Sequence, residues 1–213
     1  MSITTVVFDF DGTIMNTTDV ILGSWQHTFM TLEGKERPVE DILPTLGEPL
    51  HLTVAKFFPD VPIEESVEIY RSYHRDNFGP RITLFPGVKD LLAELKARGI
   101  KVGLATSRLH ATTVEGLEKY ELAEYFDHVL TANDTDKHKP DPTPLLMSLE
   151  KLGSTREESL MVGDTVFDFL CARNAGVKFV LVGWHAAFPK ELLESPDGPE
   201  YIIKDAKDLL TLL

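Results

Sequence analysis

Cysteine is nearly absent from this chain: Cys171 is the only one in 213 residues. No disulfide can form within the chain, a zinc site built on several cysteines is excluded, and a reducing, cytoplasmic setting is expected. Long apolar runs are missing as well. No stretch approaches the roughly 18 residues of a membrane span, and the N-terminus shows neither the basic region nor the apolar core of a signal peptide. Basic residues are scarce, with 21 Lys and Arg against 34 Asp and Glu and a net charge of −13. That balance argues against nucleic acid or an anionic membrane as partner, since both need a basic surface. It leaves a small anionic substrate open, because net charge is a far-field property and one pocket can be locally positive. Monomer and homodimer both remain open.

What is present reads as an ordinary globular chain, 43% hydrophobic and 26% charged, long enough for one sizeable domain with an insert. Short apolar runs alternate with amphipathic stretches. Strands are predicted over residues 4–10, 100–105, 128–131, 159–162 and 179–182, with an edge strand over 201–203. Helices are predicted over 87–98, 111–120, 142–152, 166–175 and 205–213. Strand-then-helix repetition implies an α/β fold with a parallel, Rossmann-like sheet. Ligands of such sheets bind beyond the carboxyl ends of the strands. Residues 16–81 break the pattern. They carry helical stripes (Val20, Trp25 and Phe29; Val54, Phe57 and Phe58; Val67, Tyr70 and Tyr73) punctuated by Pro38, Pro44, Pro49, Pro59 and Pro62. A small α-helical insert over 16–81 is expected, with 1–15 and 82–213 forming the α/β core.

The segment Asp9-Phe10-Asp11-Gly12-Thr13 follows the apolar run Val6-Val7-Phe8. Side chains i and i+2 on a strand share a face, so Asp9 and Asp11 are expected to point into one volume. Like charges that close raise each other's pKa unless a cation compensates. Gly12 permits a sharp exit from the strand. A polar turn after a buried strand is the plain alternative.

Three further motifs fall at the ends of later strands. Thr106-Ser107 precedes a helix, where a hydroxyl and backbone N–H groups suit a phosphate, although Thr and Ser are also common helix caps. His138-Lys139-Pro140 places a lysine whose backbone Pro140 restricts to extended geometry; a solvated loop lysine is the alternative. In Gly163-Asp164-Thr165-Val166-Phe167-Asp168, the two carboxylates lie one helical turn apart, with helix capping by Asp164 as the alternative. Together, Asp9, Asp11, Asp164 and Asp168 cannot all ionise in one pocket without a divalent ion. Oxygen ligands without cysteine or paired histidine point to Mg2+.

These motifs, in this order, resemble the haloacid dehalogenase (HAD) superfamily across the whole chain. The resemblance implies a HAD fold with a helical cap inserted after the first strand, as in its phosphoglycolate phosphatase-like branch. It implies that Asp9 attacks phosphorus to give an aspartyl-phosphate, and that Asp11 is the general acid and base. Thr106, Ser107 and Lys139 would hold the phosphoryl oxygens. Asp9, Asp11 through its carbonyl, and Asp164 would hold Mg2+, with Asp168 acting through water or at one remove. Asp11 at the second carboxylate position favours phosphotransfer over dehalogenation.

Asn16-Thr17, residues 25–28 and residues 42–51 resemble the bacterial HAD-type inorganic pyrophosphatase subgroup. That likeness puts Asn16, Gly47 and His51 forward as cap residues contacting substrate. Glu48 departs from it, being an anion where a neutral residue would suit an anionic substrate. His27 and His74 are expected to be surface or packing residues, Cys171 a small buried one, and Trp184-His185 loop packing. A small phosphorylated metabolite, with pyrophosphate or phosphoglycolate foremost, is the expected substrate. A β-phosphoglucomutase-like phosphomutase and an Asp-phosphorylated signalling module are the competing readings.

Overall fold

The first strand, β1 (Thr5–Phe8), is buried on both faces, as suits the middle of a parallel sheet. A computed structural model describes residues 2–184 and 188–213, so the expectation for His185 lies outside the described residues. After β1 come a two-residue strand β2 (Met15–Asn16) and four helices: α1 (Thr18–Glu33), α2 (Val39–Ile42), α3 (Leu50–Phe57) and α4 (Ile63–Arg81). A second short strand, β3 (Thr83–Leu84), pairs antiparallel with β2, Met15 opposite Leu84 and Asn16 opposite Thr83. The chain therefore enters and leaves the helical segment through one small ribbon. Two-residue strands carry no periodicity, and nothing in the sequence pattern announces them.

The α/β pattern then resumes with α5 (Val88–Ala97), β4 (Lys101–Ala105), α6 (His110–Lys119), β5 (His128–Leu130), α7 (Thr143–Leu152), β6 (Ser159–Gly163), α8 (Val166–Ala175), β7 (Lys178–Val182), α9 (Lys190–Leu193) and β8 (Tyr201–Ile203). The six long-sheet strands run in the order β5-β4-β1-β6-β7-β8, and every pairing is parallel. The final predicted helix forms as a 3-10 helix, Ala206–Leu212, opened by a reciprocal cap between Asp205 and Asp208.

Alternation along the strands divides the core in two. Val6, Phe8, Val102, Leu104, Leu160 and Val162 pack with Leu91, Leu92 and Leu95 of α5 and Leu117 of α6. Val7, Ala105, Met161 and Phe179 face the other way, onto Leu145 and Leu149 of α7 and Phe169 and Ala172 of α8. Cys171 is buried in this second layer with its thiol pushed up to about 12 by burial, the state of an inert packing residue. The helical segment has its own apolar cluster, Trp25, Phe29, Ile42, Val54, Phe58 and Tyr70. No described helix is long and apolar enough to cross a membrane.

Strand order reverses around β1, whose neighbours β4 and β6 are reached by connections on opposite sides. A crevice beyond the carboxyl ends of β1, β4 and β6 is where an open parallel sheet binds its ligand.

Candidate active site

Regular β1 stops at Phe8, one residue before the first carboxylate, and a tight turn follows, held by hydrogen bonds from Gly12 N to Met15 O (2.8 Å) and from Met15 N to Phe10 O (2.9 Å). Gly12 has φ +73°, and a Cβ there would lie 2.1 Å from Asp164 Oδ2, so the turn and the close approach both require glycine. Trp184 Nε1 donates to Thr13 O (3.2 Å) and ties the turn to the end of β7, the loop-packing role expected of it.

Across the turn, Asp9 and Asp11 meet different cations, Lys139 and Arg108, while Asp11 still helps raise the Asp9 carboxyl. Asp9, only 6% exposed, accepts from Lys139 Nζ (2.6 Å). The same ammonium donates to Asp168 Oδ1 (2.5 Å) and to Ala105 O (3.2 Å), and is itself buried. Lys139 is thus no solvated loop lysine. It precedes Pro140 through a cis peptide bond. Thr13 Oγ1 donates to Asp164 Oδ1 (3.2 Å). Carboxylate oxygens of Asp9, Asp164 and Asp168 all lie within 4.8 Å of one another, all buried.

Three buried carboxylates meet one buried ammonium, Lys139, among the described residues. Burial, together with Asp168, Asp164 and Asp11, holds the Asp9 carboxyl well above its ordinary range despite Lys139. For Lys139, burial opposes the charge, but Asp168 and Asp9 more than compensate and push its ammonium upward. A divalent cation would favour the ionised carboxylates, and an all-oxygen set is the chemistry a hard cation prefers.

Asp168 reaches the cluster differently from the others. Its Oδ2 accepts from Thr165 N (3.1 Å) and Thr165 Oγ1 (2.6 Å), while Thr165 Oγ1 accepts from Asp168 N (3.3 Å). This reciprocal cap opens α8, so Thr165, not Asp164, is the capping residue. Asp164 is left to the carboxylate cluster.

Thr106 and Ser107 follow β4 directly, in the loop ahead of α6, which begins at His110 with Leu109 at its cap. Thr106 Oγ1 accepts from Arg108 N (3.1 Å), which leaves the hydroxyl proton free to donate.

Asp11 has a separate set of partners. Its Oδ1 accepts from Thr17 Oγ1 (2.6 Å) and from Arg108 Nη2 (2.6 Å), and Arg108 Nε lies 3.1 and 3.0 Å from its two oxygens. Burial alone would push this carboxyl up, but the Arg108 guanidinium, by charge and hydrogen bond, draws it below its ordinary value. Arg108 Nη1 lies 2.8 Å from His74 Nε2 on α4. Sequence reading missed both residues: His74 looked like packing, and Arg108 went unremarked although it directly follows the hydroxyl pair at a strand end.

Burial and the Arg108 charge press His74 down from 6.5 to about 3. Below pH 6.5 the unfolded chain binds a proton at this ring that the folded chain refuses. Stability contributed by His74 is therefore full above pH 6.5 and is lost steadily as pH falls toward 3. Moving from pH 7 to 5 is expected to cost wild type about 2 kcal/mol more unfolding free energy than a His74→Gln variant. Equal slopes in urea titrations of the two proteins at both pH values would refute a buried neutral ring.

The cap-side candidates divide. Asn16, in β2, is half-buried, with its Oδ1 accepting from Thr18 N (3.2 Å). Gly47, at φ +84°, presses on the rim: a Cβ there would lie 2.9 Å from Thr165 Oγ1 and 3.1 Å from Phe167 Cδ2. Glu48 carries no free charge toward the site, since it pairs with Lys56 and accepts from Thr53 Oγ1 (2.8 Å). His51 is exposed on the first turn of α3, and no hydrogen bond among the described residues ties it to the buried set.

Comparison with known proteins gives this arrangement its context. The family model for haloacid dehalogenase-like hydrolases matches residues 6–182. The chain belongs to that family. This hydrolase is 41% identical over all 213 residues, 96% of the relative, to a Caldanaerobacter subterraneus subsp. tengcongensis protein whose name assigns it provisionally as the pyrophosphatase PpaX. It is 37% identical, over 100% of this chain and 97% of the relative, to the pyrophosphatase PpaX of Bacillus cereus. Among solved structures, a haloacid dehalogenase-like family hydrolase from Streptococcus pneumoniae superposes with a TM-score of 0.87 at 27% identity, covering 98% of this chain and 97% of that one. The fold is shared too with a Lactobacillus plantarum protein described provisionally as a phosphoglycolate phosphatase (TM-score 0.86, 24% identity, full coverage of both chains).

Proposed function

We propose that this hydrolase is a Mg2+-dependent phosphatase that cleaves inorganic pyrophosphate by way of an aspartyl-phosphate on Asp9. The observation that carries the reading is the buried set of Asp9, Asp164, Asp168 and Lys139 at the carboxyl ends of β1 and β6, three carboxylates whose oxygens lie within 4.8 Å of one another. Full-length relatives named as pyrophosphatases support the choice of substrate.

Mg2+, held by the side chains of Asp9 and Asp164 and the Asp11 carbonyl, would supply positive charge beside the transferring phosphoryl group. Asp9 attacks phosphorus, and the bond to the bridging oxygen breaks. Asp11 delivers a proton to the departing phosphate. In the second half Asp11 takes a proton from water as that water attacks the aspartyl-phosphate, which frees phosphate and restores Asp9. Lys139, the Thr106 hydroxyl and the Ser107 N–H hold the phosphoryl oxygens, a positioning and electrostatic task. Asp168 acts at one remove, holding Lys139 with one oxygen and the start of α8 with the other.

Residues 16–81 act as the cap. The β2–β3 ribbon, which carries Asn16, joins them to the core, and closure about that ribbon would bring the backbone beside Gly47 and His51 toward the leaving phosphate. Purified protein with Mg2+ is expected to hydrolyse pyrophosphate with kcat/KM above that for phosphoglycolate or sugar phosphates. Asn16→Ala and His51→Ala should lower kcat/KM for pyrophosphate more than for p-nitrophenyl phosphate, which makes fewer cap contacts. A tenfold preference for phosphoglycolate would overturn the substrate and leave the phosphatase intact.

A further inference from the structure

The proposed reaction brings two phosphates to the site, and among the described residues two Lys or Arg side chains are buried, Lys139 and Arg108. Lys139 serves Asp9 and Asp168, on the side of the transferring phosphoryl group. For the leaving phosphate the cap candidates are an amide, backbone N–H groups and an exposed imidazole, while Lys56 is taken by Glu48. None of these is a buried cation. Arg108 directly follows Thr106-Ser107, and its backbone is fixed on both sides: N donates to Thr106 Oγ1 (3.1 Å) and O accepts from Ala132 N (2.9 Å). Its side chain is 6% exposed. The guanidinium carbon lies 4.5 Å from the Phe78 ring centroid and 5.5 Å from that of Phe10. Backbone and rings together hold a preformed guanidinium beside Asp11.

We propose that Arg108 receives the leaving phosphate, and so selects substrates whose leaving group is itself an anion. A guanidinium has five N–H donors in a planar fork that suits phosphate oxygens. Three are engaged here: Nε and one N–H of Nη2 meet Asp11, and one N–H of Nη1 meets His74 Nε2 at 2.8 Å. The other two, one on each Nη, have no hydrogen-bond partner among the described residues. A guanidinium can only donate, so His74 is a neutral acceptor, and Asp11 supplies the carboxylate that meets this charge. Asp11 is the more open of the pair, its side chain 28% exposed. A leaving phosphate brings more than one negative charge and several oxygens to the same fork. Asp11 keeps a partner when donors pass to the phosphate, because Thr17 Oγ1 donates to its Oδ1 (2.6 Å). An alcohol or phenol leaving group offers the fork no anion, and Arg108 then stays with Asp11. The inference rests on the proposed phosphatase reaction, with Asp11 beside the leaving group, and takes the second phosphate from the pyrophosphate reading.

The test compares kcat/KM for pyrophosphate and phenyl phosphate at fixed free Mg2+, since the phenyl group carries no charge in the ester. Arg108→Met keeps the apolar stem and removes the charge. It takes the cation from Asp11 for both substrates, so the ratio of the two isolates what the guanidinium gives the leaving phosphate. That ratio is expected to fall at least about 30-fold, the scale of losing charge-assisted hydrogen bonds. Arg108→Lys keeps a charge for Asp11, so it should fold even if Arg108→Met does not, and without the fork its ratio should fall about fivefold. Methylenediphosphonate, which carries a second phosphonate on an uncleavable bridge, should inhibit wild-type hydrolysis of p-nitrophenyl phosphate at least about tenfold more tightly than methylphosphonate, and the variants should lose most of that preference. An unchanged ratio in the folded variants, or a wild type that binds the two phosphonates alike, overturns the assignment. A wild type that prefers phosphoglycolate removes the pyrophosphate reading alone. Phosphoglycolate, whose leaving group carries a carboxylate, then takes the place of pyrophosphate in the ratio: a selective loss upholds Arg108 and an equal loss removes it. A wild type that cleaves neither removes both.

Discussion

Asp9→Asn is expected to abolish turnover of pyrophosphate and p-nitrophenyl phosphate alike, by at least about 10³-fold, or roughly 4 kcal/mol of barrier. The amide keeps the shape of the side chain, and its oxygen can still accept from Lys139. It lacks the carboxylate that attacks phosphorus, and its NH2 group is a poor neighbour for a divalent ion. The fold should not suffer. Asp9 is buried among Asp164 and Asp168 with one ammonium between them, and its raised pKa means that the native state disfavours its charge. Replacing it with a neutral group relieves repulsion, so the melting temperature measured without metal should stay level or rise. Lost activity with an unchanged or raised melting temperature assigns the loss to chemistry. Activity retained within about tenfold would remove Asp9 as the nucleophile.

The parts of this molecule that were legible beforehand were local in sequence. Apolar runs such as Val6-Val7-Phe8 and Leu160-Met161-Val162 mark strands because both faces of the central sheet are covered. The carboxylates, hydroxyls and lysine at their ends follow within a few residues. The links that escaped join distant segments. Arg108 meets Asp11 across 97 positions and His74 across 34, and no periodicity connects them. Asp9 and Asp11 would share a face on a continuing strand; β1 stops at Phe8, and beyond it each carboxylate meets its own cation, Lys139 for Asp9 and Arg108 for Asp11. Asp164 resembled a helix cap because the distinction depends on one residue; Thr165 takes that task with Asp168, and the carboxylate of Asp164 stays with the cluster. Glu48 looked unfavourable for an anionic substrate until Lys56, in the last turn of α3, proved to meet its charge.

Removal of the metal should be as severe as removal of the nucleophile, and reversible. Three buried carboxylates crowd together there, and Lys139 already serves both Asp9 and Asp168. Chelation with EDTA is expected to take activity to background, and excess Mg2+ to restore it. Because the ion binds the folded site and not the unfolded chain, Mg2+ at about 100 times its Kd should add about 2.7 kcal/mol of stability, read as a rise in melting temperature. Asp164→Ala removes a carboxylate whose side chain faces the cluster, and should abolish both the activity and most of the Mg2+-dependent rise. Asp168→Ala should behave differently. It takes away the side-chain half of the reciprocal cap of α8 and a partner of Lys139, lowering the metal-free melting temperature while leaving a weaker but measurable response to Mg2+. Full activity in chelator, or a wild-type melting temperature indifferent to Mg2+, would refute a divalent ion at this carboxylate set. A response lost with Asp168→Ala but kept with Asp164→Ala would exchange the roles of the two residues.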